Sequence, residues 1–197
     1  KYNLIYKYII IIDSYLKKNE LRFHKGEIIG YAGDTGSISG PHLHFEIRDQ
    51  NNKPLNPLKN IYAIEDTLRP IAKSIAFIPL DNSCWINGIQ DYSIFKLQKL
   101  NEYKYVIQDT ISVLGNFGLA IEAEDKMNTQ PFNYNIYEIE LLIDNKLMYK
   151  IKFDEYNMKN DHLIYNEIDY GLLTSLSKNF HRLYINNNKS LEFIDSH

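Results

Sequence analysis

The chain has 197 residues, 44% of them hydrophobic, and a formal net charge of −3. That length suits one large domain or two small ones. The apolar fraction argues against global disorder, and the charge excludes the strongly basic surface of a nucleic-acid partner. Sixteen tyrosines beside abundant isoleucine and asparagine bias the chain towards strands. The lone cysteine, Cys84, excludes an internal disulfide and leaves the redox compartment undecided.

The sequence begins at Lys1 without an initiator Met, so it reads as a piece of something longer, and no signal peptide is visible. Ile5–Ile12 contains four consecutive isoleucines after Lys7. It falls far short of the roughly 20 apolar residues of a membrane span, so a buried strand over Leu4–Asp13 is expected. Lys17–Glu20 reads as a polar turn. Glu27–Ala32, entered through Lys25-Gly26, reads as a second strand, and His42–Asp49 as a third. Asn51-Asn52 marks the next turn, and Leu55-Asn56-Pro57-Leu58 closes the unit. So few strands make a thin sheet, and further strands are expected from sequence upstream of Lys1.

The densest chemistry lies between Gly33 and Arg48. Glycines at 33, 36 and 40 permit an irregular loop, and Pro41 fixes an extended entry. His42-Leu43-His44-Phe45-Glu46-Ile47 then alternates with period two. Leu43, Phe45 and Ile47 share one face of such a strand, and His42, His44 and Glu46 share the other. Two imidazoles at this spacing lie roughly 6–7 Å apart at the backbone, within reach of one metal and one water. A His-x-His pair alone is more often surface decoration. The preceding glycine loop and proline make the pattern specific.

That pattern, Gly33-x-Thr35-Gly36-x-x-x-Gly40-Pro41-His42-Leu43-His44-Phe45-Glu46-Ile47-Arg48, closely resembles the final motif of the lysostaphin-type (LytM-like) zinc metallopeptidases, which cut peptide cross-links in bacterial peptidoglycan. Lys25-Gly26-Glu27-Ile28-Ile29-Gly30-Tyr31 resembles the usual lead-in of that family, and Pro54-Leu55-Asn56-Pro57-Leu58 its usual exit. The resemblance implies that His44 is a zinc ligand and that His42 acts on the attacking water as a base or transition-state stabiliser. Zinc in such a site polarises the scissile carbonyl and lowers the pKa of bound water to about 7.

Two departures accompany the resemblance. The family takes its first two ligands from an upstream His-x-x-x-Asp motif. Here His24 is the only histidine before position 42, and Ile28 stands four residues later. The family also carries Tyr-x-His-Leu ahead of the lysine-glycine turn, where this chain reads Asp13-Ser14-Tyr15-Leu16. Tyr15 falls at the histidine position. Its phenol can donate a hydrogen bond to a developing oxyanion, but with an unperturbed pKa of about 10 it is a poor base at neutral pH. With one ligand and one catalytic histidine, this chain by itself is expected to be inactive. His24 reads as an exposed turn residue. Glu46 reads either as a carboxylate that orients an imidazole or as a solvated one paired with a nearby lysine, and Arg48 reads as a rim residue.

Residues 61–70 lose periodicity and end at Pro70, which reads as a linker. From Ile71 a second unit alternates: Ser74–Pro79, Tyr92–Gln98, Tyr103–Gln108, Gly118–Ala123, Tyr137–Ile143, Leu147–Phe153, Leu183–Ile185 and Leu191–Ile194 read as strands. Lys99–Glu102 reads as a polar break, Asp144-Asn145-Lys146 as a hairpin turn, and a short helix is expected within His162–Leu176. Strands this short and this closely spaced argue for an immunoglobulin-like sandwich. The fold expected is therefore mainly β: a partial LytM-like antiparallel sheet over 1–60, a linker over 61–70 and a β-sandwich accessory domain over 71–197.

The second unit offers weaker chemistry. Glu122–Asp125 is its densest acidic group and reads as a solvated strand end rather than a cation site. His162 and His181 lack spaced partners, and Trp85 with the tyrosines reads as packing before sugar stacking. Three functions stand open. One is a zinc endopeptidase of peptidoglycan peptides. Another is an inactive LytM-like protein that binds wall peptides or regulates other envelope proteins. The third is an envelope scaffold or adhesin. All three place the chain in a bacterial envelope, periplasmic or extracellular.

Overall fold

A computed structural model of the chain describes residues 17, 19–33, 40–41, 46–60, 64–155, 166–185 and 194–196. The fold is mainly β, and every ladder among the described residues is antiparallel. The chain divides into two compact units, Lys1–Phe45 and Glu46–His197.

In the first unit, the Lys17–Glu20 turn closes through the Glu20 amide on the Lys17 carbonyl at 3.0 Å and the Lys17 amide on the Glu20 carboxylate at 2.7 Å. A second turn joins the Glu27 amide to the His24 carbonyl at 3.0 Å, and His24 is exposed. Glu27–Ala32, expected as a strand, has no strand assignment. Its Ile28, Ile29 and Tyr31 are 71%, 74% and 92% exposed. Alternation predicts a strand only where a ladder partner takes up the backbone groups, and no described residue pairs with this segment. The Leu4–Asp13 strand lies outside the described residues.

The second unit opens with β1 (Ile47–Arg48), which pairs with β2 (Pro54–Leu55), followed by the short helix α1 (Pro57–Asn60). Ile64–Pro70 is irregular, tied down by Asn128, which hydrogen-bonds Thr67, and by the Arg69 guanidinium 4.0 Å over the Tyr103 ring. β3 (Ile71–Pro79) then begins the main sheet and stops at a residue that has no backbone donor. Small antiparallel pairs are formed by β4 (Trp85–Ile86) with β8 (Val113–Leu114) and by β6 (Gln98–Asn101) with β7 (Lys104–Val106). The expected polar break at Lys99–Glu102 is thus mostly strand. Its residues are all exposed, and a strand with both faces wet leaves no apolar alternation to read.

The core is layered. Strands β12 (His181–Arg182), β9 (Phe117–Glu124), β3 and β5 (Ser93–Lys96) form one sheet in that order. β10 (Glu138–Ile143), β11 (Lys146–Lys152) and β13 (Ile194–Ser196) form a second. In the first sheet Ala76 stands opposite Ala120 and Ile94, while Ile75 stands opposite Ile121 and Phe77 opposite Leu119. Cross-strand partners share a face. The alanine face packs against Leu172 of helix α2 (Tyr170–Leu176) and against Phe180. The opposite face sends Leu119 and Ile121 into a cluster with Tyr149, Ile151, Ile139, Leu141 and Leu183. Helix, sheet and sheet therefore share two cores, with the four-stranded sheet in the middle. Alternation along β9 is apolar on both sides for this reason.

Local signals for turns and caps match the structure closely. Asp144 and Asn145 have φ of 50° and 63°, both positive, as a primed two-residue hairpin turn demands. Asp169 caps α2 by accepting from the Leu172 amide at 3.0 Å, and Ser177 ends the helix with a left-handed φ of 55°. The helix lies in the second half of the expected His162–Leu176 range. In place of the expected Leu183–Ile185 strand, the ladder runs over His181–Arg182.

Candidate functional site

His42, His44 and Tyr15 lie outside the described residues. The residues that flank the histidines are described. Gly40 has a φ of 106°, which a side chain would strain. On the C-terminal side, Arg48 donates from Nε to Glu46 Oε2 at 2.6 Å and its Nη2 stands 2.5 Å from the same oxygen, while Nη1 reaches Asn52 Oδ1 at 3.2 Å. Glu46 is therefore engaged by the guanidinium two residues along.

The turn after this strand is tightly made. The Asp49 carboxylate accepts from the amides of Asn51 at 2.8 Å and Lys53 at 2.9 Å, and Asn52 takes a φ of 64°. The Lys53 amide, with help from Asn51, holds the Asp49 carboxyl below its ordinary range.

The next few residues are joined to the far end of the β10–β11 hairpin. Asn56 donates from its backbone to the Asp154 carbonyl at 2.9 Å and from its side chain to the Phe153 carbonyl at 3.0 Å. Its side-chain oxygen accepts from the Leu58 amide at 3.0 Å, the N-cap of α1, with Pro57 at the favoured first position. Lys59 Nζ lies 2.7 Å from Asp154 Oδ1, and Lys53 Nζ 2.9 Å from Glu155 Oε1. Tyr137 also donates its hydroxyl to Asp154. Lys59 and Tyr137 together pull the Asp154 carboxyl down to about 2. The exit of the histidine motif is thus built into the β unit.

A buried polar group stands elsewhere in the same unit. Glu167 and His181, each about 3% exposed, pair through Nδ1 of the imidazole. Asp169 accepts from Arg182 Nε at 3.2 Å and from the Tyr184 hydroxyl at 3.4 Å while capping α2. The buried Tyr149 hydroxyl has no hydrogen-bond partner among the described residues, and burial raises its pKa. Sequence spacing gave no hint of the Glu167–His181 pair, because the chain between them folds back through α2. Trp85 stands 42% exposed on β4 and Cys84 is buried. Glu122 and Glu124 are paired with Lys178 at 3.0 Å and Lys73 at 2.6 Å. Among the described residues no three His, Cys, Asp or Glu side chains converge as a metal site, and no helix is long and apolar enough to cross a membrane.

Comparison with known proteins bears on the motif directly. The model of peptidase family M23 matches residues 2–57. This segment is similar to peptidase family M23. It contains Tyr15, His42 and His44. A DD-carboxypeptidase/endopeptidase Mpg of Neisseria meningitidis serogroup B is 54% identical over 33 residues, which cover 17% of this chain and 7% of that protein. The protein of that name from Neisseria gonorrhoeae shows the same identity and coverage. The peptidoglycan DD-endopeptidase ShyB of Vibrio cholerae is 36% identical over 78 residues, 39% of this chain and 16% of that protein. The chain therefore spans only a small part of the length of the curated relatives it matches. No solved structure matches it significantly.

Proposed function

We propose that the protein to which this chain belongs is a zinc endopeptidase of peptidoglycan peptide cross-links, working in the bacterial envelope on its periplasmic or extracellular side. The observation that carries this reading is the M23 match over residues 2–57, which spans the glycine loop and both motif histidines. His44 is the residue assigned to hold zinc, and His42 the one assigned to receive or position the proton of the attacking water. Tyr15 is the residue assigned to donate a hydrogen bond to the developing oxyanion. Zinc, when bound, supplies Lewis-acid polarisation of the scissile carbonyl. A catalytic zinc needs three protein ligands, and His44 is the one assigned among these residues.

We assign the M23 part to residues 1–60, a linker to 61–70 and an accessory β-sandwich of immunoglobulin type to 71–197. Glu46–Asn60 is peptidase in sequence and is anchored on the accessory unit. The test is His44→Ala in the full-length protein. Expected is loss of both bound zinc and cleavage of cross-linked peptides, and unchanged zinc content and activity would overturn the assignment. The 197-residue chain alone is expected to show no hydrolysis, and robust zinc-dependent activity from it would show the ligands to be misassigned.

A second reading is a non-cleaving M23-like protein that binds wall peptides or regulates envelope partners. It is favoured by Tyr15 at the position of a family histidine.

A further inference from the structure

The second unit contains a cleft of about 560 Å³, within the size range of small-ligand sites. Its floor is made by Met127 and Ile136, 9% and 7% exposed, and Tyr134 and Phe153 extend the apolar wall. Leu58 and Ile64 stand at its side 47% and 50% exposed, so apolar surface is left open to a partner. Two carboxylates, Asp66 and Asp125, line the same cleft. Asp125 is fixed there by a two-way backbone bridge to Tyr134, with both N–O distances 2.9 Å.

The charges in this cleft are unequally served. Lys59, the one cation among the described lining residues, is already bound to Asp154 at 2.7 Å. Lys126, next in sequence to Asp125, turns its ammonium to Asn133. Asp125 accepts one bond from the Lys126 amide at 2.9 Å, and Asp66 one from the Leu68 amide at 3.1 Å. Neither carboxylate pairs with a cation among the described residues. Burial, with Asp66 nearby, holds the Asp125 carboxyl above its ordinary value, the state of a carboxylate lacking a counter-charge.

We propose that this cleft binds a primary ammonium carried on an aliphatic chain, the methylenes lying along the Met127, Ile136 and Phe153 wall and the ammonium reaching Asp125 and Asp66. Apolar walls around an unanswered pair of carboxylates match such a ligand in both halves. A calcium ion fits poorly, because it takes 6–8 oxygen ligands and most of this lining is carbon. The inference concerns the accessory unit and stands apart from the proposed peptidase activity. A free diamine and a lysine-type side chain in a peptide carry the same chemistry.

The test is calorimetric titration of the whole chain with 1,5-diaminopentane, with acetyl-lysine amide, and with acetyl-norleucine amide as the uncharged control. Saturable binding of either amine is expected, with weakening of about tenfold to a hundredfold in Asp125→Asn, and acetyl-norleucine amide is expected not to bind. Binding of the diamine alone identifies a free diamine as the ligand, and binding of the lysine amide identifies a peptide side chain. Asp66→Asn, a second and milder change, should weaken binding in the same direction. The proposal is overturned if neither amine binds, if norleucine binds as well as lysine, if folded Asp125→Asn and Asp66→Asn both bind unchanged, or if calcium binds there in place of the amines.

Discussion

Replacing Asn56 with alanine tests whether the exit of the motif is truly part of the β unit. Two interactions disappear. The side-chain amide no longer reaches the Phe153 carbonyl at 3.0 Å, and the Leu58 amide at 3.0 Å loses its cap. A lost N-cap costs about 0.5–2 kcal/mol, and a partly buried neutral hydrogen bond about 0.5–1.5 kcal/mol. The backbone bond from Asn56 to the Asp154 carbonyl survives, so the two losses do not release the segment entirely. A total of about 2 kcal/mol follows. For a unit of this size each kcal/mol moves the melting temperature by about 2–4 °C, so a fall of roughly 4–8 °C is expected by circular dichroism. Amide exchange of Leu58 and Lys59 should accelerate more than that of the β3–β9 ladder, because α1 is released before the sheet opens. If the melting temperature moves by less than about 1 °C and the Leu58 amide exchanges as before, the anchoring argument fails.

The Asp154 carboxyl has a pKa lowered from 3.8 to about 2. A depressed folded value means stability that is present above the unfolded value and is lost as the pH falls through the folded one. The contacts of Lys59 and Tyr137 with Asp154 should therefore loosen between about pH 4 and pH 2. Carboxyl carbon shifts will show it, and a midpoint near 4 contradicts the assignment. Gly115→Ala places a Cβ 2.8 Å from the Ser83 carbonyl oxygen and 2.9 Å from the Cys84 Cα, at a φ of 88°. We expect a loss of about 1–3 kcal/mol in urea unfolding, and a neutral result would mean that the β4–β8 corner can move. His181→Ala leaves Glu167 buried without its imidazole partner and should cost roughly 2–5 kcal/mol. The double variant His181→Leu with Glu167→Met should be milder. Equal losses in single and double variants would show that the pair is not the source.

The elements that the sequence predicts well are those whose causes are local. Positive φ at Asp144 and Asn145 follows from residues that tolerate it. The end of β3 at Pro79 follows from a missing donor. The motif from Gly33 to Arg48 sits inside the segment that matches family M23. Where the reading failed, the cause was not local. Glu27–Ala32 alternates like a strand, but a strand also needs a neighbour, and none of the described residues pairs with it. Lys99–Asn101 does not alternate and is a strand because Lys104–Val106 lies beside it.

By itself the sequence determined the β character and the motif inside the segment that matches family M23, because composition, turn chemistry and a contiguous motif are all one-dimensional properties. Tertiary structure alone decided that Asn56 bonds to a strand end 97 residues away, that Glu167 meets His181 in the core, and that Asp66 and Asp125 share one cleft. Such pairings arise from chain reversals that bring remote groups within hydrogen-bond or Coulomb range. No period or spacing along the chain encodes them.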